Sequence, residues 1–235
     1  MKKIQPIGIF DSGIGGLSVM SHIQNLLPDE SLAYVADSLY APYGLKNNHE
    51  ILERSIVIID YLIKNKSAKL IVVACNTATA AAIKDLRKIY KIPIIGMEPA
   101  IKPATKSTKC KRVGILATNG TLESAKFSAL LETYSGDIKF YTQPCSGLVE
   151  LIERGQINDL PVKNLIEEYL KPFIYSEVDT IVLGCTHYIF IRNIIEKIMG
   201  PEVRIIDTGL AVARQVKSEL EKFSLQNNLE GKSYS

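Results

Sequence analysis

Two stretches of the chain, 110 residues apart at their cysteines, follow one plan. "KLIVVACNTATAAAIKDLRK" and "DTIVLGCTHYIFIRNIIEK" each run from a β-branched strand pattern through a small residue to a cysteine, then to a threonine within two residues and a helical pattern. The segments before them correspond too. "PIGIFDSGIGGLS" is echoed by "RVGILATNGTLES", with Asp11 lying 64 residues before Cys75 and Thr118 lying 67 before Cys185. A doubled strand-to-helix plan restricts the chain to two related α/β units.

The rest of the chain keeps that rhythm. "PIGIF", "LAYVA", "KLIVVA", "IPIIGM", "RVGILA", "DIKFYT", "DTIVLG" and "VRIID" read as strands. Helical patterns cover Leu17–Leu27, Asn48–Asn65, Thr79–Tyr90, Leu122–Tyr134, Leu148–Gly155, Val162–Ser176 and Phe190–Met199. Alternation of this kind predicts mostly parallel sheets covered by helices. With 235 residues and 46% apolar content, each unit can bury a core of its own. The proline- and lysine-bearing stretch "GMEPAIKPATKSTKCK" reads as an exposed connection. The expected division is 1–97 plus a returning 208–235 against 98–207, with the polar end "SLQNNLEGKSYS" frayed.

Charge excludes more than it suggests. Basic residues exceed acidic ones by three, without a basic arm, so no nucleic-acid partner is expected. "MKKIQPIGIFDSGIGG" has no uninterrupted apolar region of a secretory signal, and no stretch approaches the ~20 apolar residues of a membrane span. The expected setting is the cytoplasm, away from membranes, with four reduced thiols.

In parallel α/β sheets, ligands bind outside the carboxyl ends of the strands, which is where Cys75 and Cys185 are expected. The partial positive charge of a helix N-terminus favours thiolate there. A free cysteine is often only a small apolar filler. That reading weakens for two thiols at matching addresses. Zinc needs clustered ligands, yet the only close Cys/His pair is Cys185 with His187, and no CxxC occurs, so no metal is expected. One-thiol nucleophilic chemistry leaves the second cysteine without a role. Cys110 and Cys145 read as bystanders, and His22 and His49 as structural or solvated.

The loop "GIFDSGIGGLSV" joins a strand to a helix start, an arrangement that cradles anions. A dinucleotide reading is favoured by Asp37 ending the next strand, where a ribose-binding carboxylate would sit. It is opposed by Ser18 in place of the last Gly or Ala, and no Gly-Lys-Ser/Thr follows for a P-loop. Asp11 also opens the loop with a negative charge, which suits a ligand carrying both ammonium and carboxylate, such as an amino acid.

Across nearly its whole length the sequence resembles the cofactor-independent glutamate racemases. The resemblance rests on "DSGIGG", "ADSLYAPYG", "ACNTAT", "GMEPA", "LVELIERG", "LGCTHY" and "DTG" in one order. It implies two pseudo-symmetric α/β domains facing each other across a cleft that holds glutamate, with no cofactor. Cys75 and Cys185 would be the two bases, assisted by Asp11 and His187 respectively. Asp11, Ser12, Tyr43, Gly44, Asn76, Thr77, Thr186 and His187 would hold the substrate, Gly44 through its N–H and Tyr43 by packing or binding. Glu153 is the expected acidic helper, with Glu150 on the same helical face. Asp207 and Thr208 match the pattern but read equally as lining a strand end. Ile189 stands where the family often has proline, which bears on the loop's shape. The implied setting is D-glutamate supply for bacterial peptidoglycan, and a homodimer is compatible with it.

Two thiols suit inversion at an α-carbon, because one removes a proton from one face while the other delivers a proton to the opposite face. Without an electron sink such as pyridoxal phosphate, fixed donors around the α-carboxylate must carry the developing charge; Asn76, Thr77 and Thr186 can supply them. The same thiol pair would serve aspartate or another acidic amino acid. A gyrase-binding regulatory protein is the alternative of a different class; relatives with that role usually carry extended N-termini, whereas here the first strand pattern begins near Met1.

Overall fold

The structure is a computed structural model and describes residues 3–227. The first half comprises β1 (Ile7–Asp11), α1 (Leu17–Leu26), β2 (Leu32–Ala36), α2 (Asn48–Lys66), β3 (Leu70–Val73), α3 (Asn76–Ile89) and β4 (Ile94–Gly96). Its strands form a parallel sheet in the order β2-β1-β3-β4. After α4 (Ile101–Ser107) come β5 (Arg112–Ala117), α5 (Asn119–Leu122), α6 (Ala125–Tyr134), β6 (Lys139–Pro144), α7 (Leu148–Glu153), α8 (Leu160–Tyr175), β7 (Thr180–Leu183), α9 (Arg192–Met199) and β8 (Arg204–Ile206). The second sheet, β6-β5-β7-β8, is parallel and repeats the order of the first. α10 (Gly209–Lys222) closes the described chain.

All eight strands read from sequence are present, because β1, β3 and β7 are buried at every position and so appear as unbroken apolar runs. The doubled plan is therefore a doubled sheet. Asp11 ends β1, Cys75 follows β3, Thr118 follows β5 and Cys185 follows β7. The candidate residues thus stand at equivalent strand ends.

Two expectations need correcting. The "GMEPAIKPATKSTKCK" stretch is not merely an exposed connection, since α4 sends Ile101 and Ala104 into a core with Val113, Ile115, Phe127 and Val182. Pro103 sits in the first turn, where a missing N–H breaks no helical bond, and the lysines lie on the outer side. The polar end is not frayed at its start either. Leu225 is buried, the Asn227 N–H donates to Glu30 Oε1 at 2.8 Å, and Asn227 Nδ2 donates to the Asp29 carbonyl at 2.7 Å. The remainder of "SLQNNLEGKSYS" lies outside the described residues.

Glu30 is the hub of this seam. Its other oxygen receives Lys69 Nζ at 2.5 Å, and Lys69 also donates to the Lys3 carbonyl, so a buried charge is paired and hydrogen-bonded. α10, which the sequence reading passed over, lays Val212, Ala213, Val216 and Leu220 against Val19 and Ile23 of α1 and against β1 and β3. The helix expected over Leu122–Tyr134 is two pieces. Thr118 caps α5 and Ser124 caps α6, each accepting a backbone N–H three residues on.

At the base of β7, Asp179 gathers donors from the α4–β5 connection. It accepts the Thr108 hydroxyl at 2.5 Å and the N–H groups of Lys109 and Cys110 at 2.6 and 2.8 Å. Burial opposes its charge, but these donors prevail and hold its pKa at about 2. A depressed folded pKa stabilises the fold above the ordinary aspartate value of about 3.9, and that stabilisation is lost as pH falls toward 2. Asp179→Asn is therefore expected to lower Tm near neutral pH, with the gap to the native chain closing as acid titrates Asp179. A gap of equal size at about pH 2 and pH 7 would show that the charge contributes nothing. Among the described residues no helix is long and apolar enough to cross a membrane.

Candidate active site

Cys75 is the N-cap of α3, and its sulfur accepts the Ala78 N–H at 3.4 Å. Its thiol also donates toward Ser12 Oγ at 3.7 Å. The helix terminus does not make it a thiolate. Burial first, and the charge of neighbouring Asp11 second, push the Cys75 pKa far up, outweighing the Ala78 N–H. Asp11 is fully buried, which raises its own pKa against the pull of His187 and of N–H bonds from Gly16 (2.7 Å) and Ser12 (2.8 Å). Burial raises the pKa of both groups on this wall.

The other wall differs. Cys185 is partly exposed and opens a 3-10 turn, Thr186–Ile191, without a cap bond to its side chain. Its sulfur lies 3.7 Å from His187 Nδ1, and His187 Nε2 lies 2.5 Å from Glu153 Oε1. Burial disfavours an imidazolium, but Cys185 and Glu153 reverse that and hold the His187 pKa well above its ordinary value. Burial likewise opposes the Glu153 charge, yet His187 and the Ile14 N–H, donated at 2.7 Å, bring its pKa down. Of the two glutamates on α7, Glu153 makes the contact. Glu150 instead lines a shallow neighbouring depression with Gly44, Thr118 and Cys145.

The glycine loop closes the two halves together. A Cβ on Gly13 would fall on the Glu153 carboxylate, and one on Gly15 would lie 2.5 Å from Thr186 Oγ1 and 2.6 Å from His187 Nδ1. Neither glycine has a positive φ, so close approach demands them. The Thr186 hydroxyl donates to Asp11 Oδ2 at 3.3 Å across the same seam. Side chains of the second half thus occupy the side of the loop where a pyrophosphate would approach, and Asp37 is engaged by Arg54 and Tyr43. Both features disfavour the dinucleotide reading.

Asn76 is buried with both its amide nitrogen and its carbonyl oxygen unpartnered. Thr77 Oγ1 lies 2.9 Å from Thr118 Oγ1 and 3.4 Å from Thr121 Oγ1. Tyr43 is buried, its hydroxyl donates to Asp37 and its carbonyl accepts the Lys46 N–H at 3.1 Å, while Gly44 is half-buried. Gly44 packs against Thr118. Thr118 and Thr121 were not singled out as site residues from sequence. The internal repeat carried the signal, since Thr118 occupies the position of Asp11 in the second copy.

The remaining candidates fall elsewhere. Asp207 accepts the Gly209 N–H at 2.9 Å and faces Arg192, and His22 stands 3.9 Å from it. His49 is exposed beside Glu53, Cys110 adjoins the Glu177 carbonyl, and Cys145 is buried behind the depression. Among the described residues no three His, Cys, Asp or Glu side chains converge as metal ligands.

Two sulfurs at equivalent strand ends, each with its own proton-handling neighbours, stand close enough for the Cys185 charge to act on Cys75. Comparisons with known proteins give the chain's family. The family model described as Asp/Glu/Hydantoin racemase matches residues 7–216. The glutamate racemase of Ectopseudomonas mendocina is 49% identical over 221 residues, covering 94% of this chain and 84% of that protein. The crystal structure of a Bacillus anthracis glutamate racemase isoform superposes with a TM-score of 0.86 at 33% identity, over 97% of this chain and 86% of that one. The Escherichia coli glutamate racemase, crystallised with L-glutamate and the activator UDP-MurNAc-ala, gives 0.86 at 32% identity over 98% and 86%. The chain belongs to the Asp/Glu/Hydantoin racemase family.

Proposed function

We propose that the protein is a glutamate racemase that interconverts L- and D-glutamate by two-base proton transfer at Cα. The observation that carries this reading is the pair of thiols at equivalent strand ends of two like sheets, each backed by a different acid–base partner.

In the direction that starts on the Cys185 wall, the His187 imidazolium is the counter-charge for a thiolate at Cys185, with Glu153 anchoring the ring. The Cα–H bond breaks, the proton passes to the Cys185 sulfur, and the electron pair moves toward the α-carboxylate. The Cys75 thiol then gives its proton to the opposite face of Cα, leaving a thiolate beside Asp11. The reverse direction exchanges the roles.

Ser12, Asn76, Thr77, Thr186 and the backbone at Tyr43 and Gly44 hold glutamate, and Asp11 and His187 take part from the two walls. The unpartnered Asn76 amide supports this assignment, because buried polar groups seldom go unbonded. The proposed domains are 1–97 with 208–235, and 98–207; the packing of α10 on α1 and of α4 beside β5 supports that division. The proposed setting is the cytoplasm, with D-glutamate passing to peptidoglycan synthesis.

Chiral analysis of L-glutamate, L-aspartate and L-alanine incubated with the pure protein, without added cofactor, tests the reading. Glutamate is expected to racemise fastest; faster aspartate turnover would reassign the substrate. In D₂O the product enantiomer is expected to carry deuterium at Cα, delivered from an exchangeable thiol. Product that keeps its α-protium would instead point to one base shuttling a single proton.

A further inference from the structure

Asp37 drew notice in the sequence as a ribose-binding candidate, and the racemase reading leaves it without a task. The structure gives it a dense set of partners. It is buried at the end of β2, where its backbone N–H donates to the Asp11 carbonyl at 3.0 Å. Its carboxylate accepts the Tyr43 hydroxyl at 2.7 Å and a two-pronged contact from Arg54, with Nε at 3.0 Å and Nη2 at 2.7 Å. The Arg54 guanidinium also stacks over the Tyr40 ring, 3.7 Å from its centre.

Apolar burial holds this segment at one point, the Tyr43 ring, which packs in the core with Phe10 and Ile51. Between Ser38 and Lys46, Tyr43 is the only buried residue, while Leu39 and Leu45 are 89% and 71% exposed. Yet the 3-10 turn Tyr43–Leu45 must stay in place, because Gly44 abuts Thr118 of the opposite half closely enough that a Cβ would lie 3.0 Å from the Thr118 Cβ. The buried Tyr43 ring anchors the turn in depth, and a fork-shaped Arg–carboxylate pair has the directionality to fix the orientation that packing alone leaves free. A capping box of Asn47 and Glu50 then sets the start of α2, the helix that carries Arg54.

We propose that Asp37 and Arg54 are positioning residues, which through the Tyr43 hydroxyl hold the Tyr43–Gly44 turn as the glutamate-binding wall opposite Thr118. The proposal rests on the racemase reading. Its consequence is a separation of effects. The turn contacts bound substrate but not the travelling proton, so loosening it weakens ground state and transition state alike.

Arg54→Gln and Tyr43→Phe are each expected to raise the KM for glutamate by about tenfold with kcat changed less than about threefold, the signature of lost uniform binding. Arg54→Lys is not expected to restore KM, since an ammonium cannot reproduce the two parallel bonds. The double variant is expected to be little worse than either single one, because both act through Asp37. Tyr90→Phe is the control. Its hydroxyl donates to Asp60 at 2.8 Å, a like pair between α3 and α2 that does not touch the turn, so Tm can fall while KM stays.

Native KM in Arg54→Gln and Tyr43→Phe, with only a Tm loss like that of Tyr90→Phe, would overturn the proposal. So would a fall in kcat at unchanged KM. If the native chain racemises no acidic amino acid, the racemase reading itself fails and the proposal falls with it.

Discussion

Replacing either Cys75 or Cys185 by serine is expected to reduce glutamate racemisation in both directions by about 10³-fold or more, at the upper part of what one proton-transfer group contributes. A serine hydroxyl has similar size but is far too weak an acid to exist as a base beside Asp11 or to yield its proton on demand. Each thiol must serve as base in one direction and acid in the other, so neither variant should keep a fast direction. Cys110→Ser and Cys145→Ser are expected to keep most activity: the Cys110 thiol faces the Glu177 carbonyl, and the Cys145 thiol, although it packs near Cys185, is buried and donates to the Gln143 carbonyl. Circular dichroism should show all four variants folded. Near-normal turnover in either Cys75→Ser or Cys185→Ser would sink the two-base reading. If loss of activity instead tracked unfolding, these cysteines would be packing residues, which for Cys75 is a serious alternative because it is buried in the core with Phe10 and Ile71.

The strands and the two thiol addresses were legible because they depend on local pattern. A strand buried on both faces announces itself as an apolar run, and a residue at its end is located by that run alone. α4 was misread because its lysines and prolines dominate the composition, while its core contact depends on Ile101 and Ala104, two residues one turn apart. Long-range contacts were illegible in principle. Nothing near Glu153 in sequence marks it rather than Glu150 as the partner of His187; a partner 34 residues away and the Ile14 N–H 139 residues away decide it. The repeat also suggested two equivalent thiols. Chemically they differ, because the first copy places a buried carboxylate beside its cysteine, whereas the second places a histidine two residues after.

Gly15→Ala is expected to cost about 10²-fold in turnover, although one methyl is all that is added. The new carbon would start 2.5 Å from Thr186 Oγ1, 2.6 Å from His187 Nδ1 and 2.8 Å from the His187 backbone nitrogen. Thr186 can rotate; the backbone nitrogen cannot, so the loop and the 3-10 turn must separate. That movement displaces Asp11 and Ser12 on one side and the Cys185–His187 pair on the other, and a shift of about 1 Å at such a site is enough for a loss near 10²-fold. The stability cost should stay in the overpacking range of about 1–3 kcal/mol, leaving the protein folded. Gly136→Ala provides the contrast. Its φ of +45° strains any side chain, but no atom lies within 4 Å of the added carbon and the site is remote, so it should lower Tm and spare turnover. Gly15→Ala with native turnover would mean that the glycine loop and the His187 turn do not need their close approach, and the assignment of the seam as part of the active site would have to be withdrawn.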